Sequence, residues 1–385
     1  MTRFEFATAG RIVFGEGCAA SVPAWAGTYG ASTLVVTGRE AARAEWLVDA
    51  LQRQGAVVVL LSVDGEPDIT FVSGGAHLAR RRSIDVVVGL GGGSALDAAK
   101  AIAALATNTG DPLDYLEVVG SGTALAHAPL PLIAVPTTAG TGSEVTRNAV
   151  LTVPDRRVKV SLRSPMMLPR LAVVDPLLTH ELPPSMTATT GLDALTQLVE
   201  PFLSVRANAM TDALCRDGIA RVARSLARAC ADGHDAAARA DMALASLFGG
   251  LALANAGLGA VHGLAAPIGG MCRAAHGAVC AALLPHVMAA NVRGLRGGGG
   301  TGQSLGRADE VGRLLLGRGD GDADAAVRWL RNTVERLGVP RLGELGVRVA
   351  DLPAIADQAQ RSSSMKGNPV ALGAGELVHI LEAAL

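Results

Sequence analysis

The stretch that most constrains the fold runs from Ile84 to Ala104, where an apolar run meets consecutive glycines and then a helical pattern. Ile84-Asp85-Val86-Val87-Val88-Gly89 has the composition of a buried strand, and Ser94 to Ala104 that of a helix. Gly91, Gly92, Gly93 and Ser94 lie at the junction. Glycines there let backbone N–H groups approach an anion with no Cβ in the way, and the start of the helix presents its positive dipole end. Ser94 and Asp97 read as a capping-box-like pair that opens the helix. The junction is therefore expected to hold the phosphates of a dinucleotide, although Ser94 stands where G-x-G-x-x-G has its third glycine. A tight structural turn without a ligand is the competing reading.

Similar apolar runs recur on either side. Ser32–Thr37, Ala56–Leu61 and Pro131–Pro136 read as strands, with a helical stretch from Ala41 to Gln54 between the first two. Apolar strands flanked by helices imply a parallel sheet covered on both faces. From about Pro183 the pattern turns helical, with helices expected over Gly191–Phe202, Ala209–Arg228, Ala236–Ala254, Gly277–Val292, Ala323–Leu337 and Gly375–Leu385. The expectation is an α/β, Rossmann-like domain over residues 1–180 and an all-α domain over 181–385. The glycines between Gly294 and Gly302 read as a connection, and Asp320-Gly321-Asp322-Ala323-Asp324 as a polar loop opening a helix.

Composition narrows the function. A net charge of −1 offers no footprint for nucleic acid or anionic lipid. The five scattered cysteines read as reduced thiols of a cytoplasmic chain, Cys272 included, although it stands four residues before His276. The start has no apolar leader pattern. Met242 to Cys272 carries no Asp, Glu, Lys or Arg, but its glycines, Pro267, Asn255 and His262 mark buried helices rather than a membrane span. Only Lys100, Lys159 and Lys366 among 34 basic residues are lysines, which suggests positions where a compact ammonium matters.

Gly89 to Ala103 resembles the cofactor motif of the iron-containing (group III) alcohol dehydrogenases. Val135-Pro136-Thr137-Thr138-Ala139-Gly140-Thr141-Gly142-Ser143-Glu144-Val145-Thr146 resembles a second, long signature of that family. Asp175-Pro176, Gly191-Leu192-Asp193-Ala194-Leu195 and Ala275-His276-Gly277 through Leu284-Pro285-His286 extend the likeness over the whole chain. The resemblance implies a homodimeric oxidoreductase of dehydroquinate-synthase-like architecture. It would move a hydride between NAD or NADP and a small alcohol, aldehyde or keto substrate in the cleft between the domains. It places Gly38, Gly91, Gly92, Gly93, Ser94, Asp97, Thr137, Thr138, Thr141, Ser143 and Lys159 at the cofactor. Thr37-Gly38-Arg39 puts glycine where the family often has an acid, with Arg39 and Arg43 nearby, which leans toward NADP being accepted.

The same resemblance makes Asp193, His262 and His276 both metal ligands and the catalytic centre. Gln197 replaces the family's first histidine, and Ala266 a histidine assigned to proton relay. Two readings stay open. In one, a divalent metal, iron or zinc, is held with Gln197 as a weaker fourth ligand. In the other there is no metal, and Gln197 donates a hydrogen bond to the substrate oxygen. The rival functions are a maleylacetate reductase, a dehydroquinate-synthase-like lyase and a non-catalytic binding protein.

Overall fold

The computed structural model describes residues 3–156, 158–272, 274–300 and 302–385. They form two compact units: one is Thr8–Thr138 with Gly142–Thr179, and the other holds His180–Leu385 with Ala139–Thr141 and the N-terminal residues through Ala7.

In the first unit the elements are β1 (Ile12–Phe14), α1 (Val22–Gly27), β2 (Ser32–Thr37), α2 (Glu45–Arg53), β3 (Val57–Ser62), α3 (Ile69–Arg81), β4 (Val86–Gly91), α4 (Gly93–Thr107), β5 (Leu132–Pro136), β6 (Asn148–Val153), β7 (Val158–Arg163) and β8 (Leu171–Val174). Six strands make a parallel sheet in the order β1-β8-β5-β4-β2-β3. Side-chain alternation feeds two cores. Leu34, Val36 and Val87 pack with Val72 of α3 and Ile102 of α4, whereas Val35, Val86 and Val88 pack with Val22 of α1 and Leu47 of α2. Burial on both faces explains why these strands read as continuous apolar runs.

Sheet growth reverses between β2 and β4: β3 is added outside β2, and β4 returns to its other side. Ligands of open α/β sheets bind beyond the strand ends at such a reversal. Here those ends are Thr37-Gly38 and Gly91, and a Cβ on Gly91 would lie 3.4 Å from the Gly38 nitrogen and 2.6 Å from Ala95 Cβ. No larger residue fits at 91 without moving the start of α4.

The helix opens differently from the sequence expectation. Gly92 is its N-cap, with no side-chain cap bond, so no capping box forms between Ser94 and Asp97. Asp97 instead accepts hydrogen bonds from Ser143 Oγ at 2.6 Å and the Val150 N–H at 3.0 Å.

Lys100 explains one of the retained lysines. Its buried ammonium donates to Ser143 O, Thr146 Oγ1 and Asn148 O, with Asp97 3.3 Å away. Burial pushes its pKa down, and Asp97 opposes the shift. The loop after β5 is thereby tied to α4. Lys100→Ala would strand these acceptors and is expected to cost about 3–5 kcal/mol, read as a lower urea midpoint. An unchanged midpoint would show that the bonds are not structural.

The antiparallel pair β6–β7 was not anticipated. Its pattern, Val158-Lys159-Val160-Ser161-Leu162-Arg163, alternates apolar and polar residues, as a half-buried strand does.

The second unit is built from α5 (Pro184–Leu203), α6 (Ala209–Ala231), α7 (Ala236–Ala256), α8 (Ala260–Met271), α9 (His276–Arg296), α10 (Gly302–Leu316), α11 (Ala323–Arg336), α12 (Leu352–Arg361) and α13 (Ala374–Ala384). α5 is its central helix, packed by α6, α7 and α9, and every residue from Gly191 to Leu203 is buried. The apolar stretch Met242 to Cys272 is two helices broken at Gly257, whose φ is +72°. α7 and α9 are long and apolar enough to cross a membrane, but 61% and 83% of their most apolar windows are buried inside the unit. Asp322 caps α11 by accepting from the Ala325 N–H, so the acidic loop does open a helix.

Candidate active site

In the α/β unit the nucleotide features converge at the sheet reversal. α4 starts with no side chain on its first N–H groups, and such an unfilled helix N-terminus after a glycine turn suits a phosphate. Thr138 lines the turn, since a Cβ on Gly92 would meet its Cγ2 at 3.2 Å. The Thr137 N–H donates to Gly91 O at 3.0 Å and joins the two signatures. Ser143 and Asp97 are engaged with each other and hold the loop. Lys159 pairs with Glu66 at 3.0 Å. Thr141 belongs to the helical unit.

In the helical unit α5 carries Asp193, Gln197 and Glu200 at spacings that place them on one face. His262 sits in the first turn of α8 and His276 begins α9. Asp193 Oδ1 is 3.5 Å from His262 Nε2 and 3.8 Å from His276 Nε2. Cys280, one turn beyond His276, places Sγ 3.6 Å from His276 Nε2. All four ligand atoms lie within 4.8 Å of one another. Donors roughly 2.0–2.3 Å from a shared tetrahedral ion stand roughly 3.3–3.6 Å apart, so this spacing fits one metal better than direct pairing. Asp193 Oδ1 is buried with no hydrogen-bond partner, a costly arrangement that a cation relieves.

Glu200 was not anticipated from the sequence. Its Oε2 lies 2.7 Å from His262 Nδ1, and its Oε1 accepts from the Val261 N–H at 2.6 Å. Nδ1 donating to the Glu200 carboxylate orients the ring so that Nε2 is the atom turned toward Asp193. Asn368 braces the same helix start by accepting from the Ala260 N–H. Burial works against charge on His262, but Cys280, Asp193 and Glu200 raise its pKa well above the ordinary imidazole value. Burial likewise opposes charge on Asp193, and His276 and His262 nevertheless hold its carboxyl below the usual range. Glu200→Gln keeps the shape and removes the charge. It is expected to weaken metal retention by roughly 10–100-fold, measured by competition with a chelator. Unchanged retention would exclude this orienting role.

Gln197 is buried with Oε1 unpartnered, packed beside Gly249 of α7. Cys272 lies apart from the cluster, with Sγ on Gly346 O. The cysteine at helical spacing from His276 is therefore Cys280, four residues after it. Lys366 is exposed.

A buried carboxylate between two imidazoles, with an open glycine turn in the other unit, equips a chain for nucleotide-dependent oxidoreductase chemistry. Comparison with known proteins places it more narrowly. Residues 9–176 match the family model for iron-containing alcohol dehydrogenase, and residues 187–385 match the C-terminal model of the Fe-containing alcohol dehydrogenase family. The chain belongs to the iron-containing alcohol dehydrogenase family and is an oxidoreductase. Alcohol dehydrogenase 4 of Saccharomyces cerevisiae is 37% identical over 334 residues, covering 86% of this chain and 84% of its own. A crystal structure of 1,3-propanediol oxidoreductase superposes with a TM-score of 0.92 at 32% identity, covering 100% of both chains. Sulfoacetaldehyde reductase from Bifidobacterium kashiwanohense, solved with NAD+, superposes at 0.86 with 29% identity, covering 100% of this chain and 99% of its own. These likenesses favour the alcohol dehydrogenase type over maleylacetate reductase.

Proposed function

We propose that this oxidoreductase interconverts small alcohols and their aldehydes with metal assistance, uses NAD, accepts NADP, and works as a cytoplasmic homodimer. The observation that carries the metal-assisted reading is the unpartnered Asp193 Oδ1 facing the Nε2 atoms of His262 and His276. When bound, the nicotinamide ring donates or accepts the hydride and the metal polarises the substrate oxygen. The chain's own part is to hold these groups. Asp193, His262 and His276 would hold the ion, with Gln197 one turn beyond Asp193, and Glu200 fixes the His262 ring. Ala266 brings no titratable group, and His276, with its side chain 29% exposed, is the imidazole open to solvent. The glycine turn, with Ser94, Thr137, Thr138, Ser143 and Lys159 of the same unit, serves the nucleotide. The free state of all five cysteines suits a reducing compartment.

Acceptance of NADP rests on the end of β2. Nothing stands within 4 Å of a Cβ on Gly38. Among the described residues, Arg39 and Arg43 pair with the exposed carboxylates of Asp64 and Glu40. Exposed pairs are weak, so a 2′-phosphate can replace those partners. Gly38→Asp is expected to lower kcat/KM for NADPH at least about tenfold and to spare NADH. Equal loss with both nucleotides would contradict the assignment. The general test is oxidation of NADH and NADPH against a panel of aldehydes and ketoacids, with and without chelator. Aldehyde-dependent turnover is expected, and no turnover with either nucleotide would overturn the reading.

A further inference from the structure

The candidate metal site contains a donor that none of the family's Asp–His positions supplies. Cys280 follows His276 by one turn of α9, so the two side chains share a helix face. Its Sγ is 3.6 Å from His276 Nε2 and belongs to the same group of four ligand atoms as Asp193 and His262. A sulfur and a nitrogen on one tetrahedral ion are expected roughly 3.5 Å apart. The thiol is fully buried, and so is Asp193, whose Oδ1 has no partner. On the same helix as Asp193, Gln197 offers only a neutral amide oxygen where the family has an imidazole.

We propose that Cys280 is a metal ligand in this chain, supplying as thiolate the fourth strong donor that Gln197 does not, and that the resulting Asp193–His262–His276–Cys280 set selects zinc over iron. The inference rests on the metal-assisted reading above. On binding, the Cys280 S–H bond breaks, the sulfur electron pair forms the bond to the metal, and the proton leaves to solvent. No oxidation state changes. A thiolate with two imidazoles and one carboxylate is a borderline-soft set that would suit zinc. The direct alternative is a Cys280 thiol that only donates a hydrogen bond to His276 Nε2.

The test loads the full chain with cobalt(II) as a spectroscopic probe and with zinc, in wild type and Cys280→Ala. The expected result is a near-ultraviolet thiolate-to-cobalt band in wild type that is lost in the variant, while the visible cobalt bands persist. Zinc affinity, from chelator competition, is expected to fall at least about tenfold. Visible cobalt bands with no thiolate band, or a thiolate band that survives in Cys280→Ala, would overturn the proposal and leave the metal-assisted function standing. Failure of the wild type to retain either metal would overturn both. If the variant does not fold, X-ray absorption of the zinc-loaded wild type decides. A sulfur neighbour at about 2.3 Å supports ligation, and a shell of nitrogen and oxygen alone refutes it.

Discussion

Asp193→Ala is expected to abolish metal retention and to lower kcat/KM by at least about 10³-fold. Among the described residues Asp193 supplies the one carboxylate of the cluster, and its Oδ1 is the atom nearest both histidine Nε2 atoms, at 3.5 and 3.8 Å. Without it, two imidazoles and the Cys280 sulfur remain, and the carboxylate that lies between the two rings is gone. A Lewis acid contributes several kcal/mol to stabilising charge on the reacting oxygen, and about 4 kcal/mol corresponds to about 10³ in rate. The α/β unit is untouched, so NADH binding followed by fluorescence is expected to be unchanged in the variant. Substantial turnover by metal-free Asp193→Ala would remove Asp193 from the catalytic centre.

The second large effect is expected in the other unit. Gly91→Val would place a branched side chain where even a Cβ meets Ala95 Cβ at 2.6 Å. Either β4 or the start of α4 must shift, and the phosphate-facing N–H groups shift with it. Overpacking of this kind costs about 1–3 kcal/mol, and nucleotide affinity is expected to fall by more than tenfold, read by NADH titration alongside a melting curve. Gly74→Ala, in α3 and away from the turn, is the control, because nothing lies within 4 Å of its Cβ position. An unchanged NADH affinity in a folded Gly91→Val chain would dissociate the turn from the nucleotide.

Much of this architecture could be read in the residues. β2 was read at its full extent, Ser32–Thr37, because a strand buried on both faces is apolar along its length. β4 and α4 were found with their ends displaced by a few residues, since the glycines belong to both strand end and helix start. The β6–β7 hairpin escaped notice because its polar alternation is weaker than the neighbouring apolar runs. α8 was also missed. It lies in a stretch so uniformly apolar that periodicity carries no boundary, and only the positive φ at Gly257 breaks it.

At the site, Asp193, His262 and His276 were named from the motif alone, and the fold gathers them. Glu200 and Cys280 were not found. Glu200 reaches His262 across 62 residues of sequence, and no local pattern shows which helices will meet. Cys280 stands in a run of small apolar residues, where a buried thiol looks like any other core side chain. The signal that marks them is spacing: Glu200 is seven residues from Asp193, and Cys280 four from His276. Asp97 shows the opposite case, a motif residue whose carboxylate is engaged within the scaffold by Ser143 and Val150.

The most direct measurement of metal-assisted dehydrogenase activity is aldehyde-dependent NADH oxidation during metal removal and return. Chelator-stripped protein is expected to lose turnover while keeping its fold and its NADH affinity, and to regain activity as metal is restored to one ion per chain. Full turnover by protein shown to be metal-free would contradict the account.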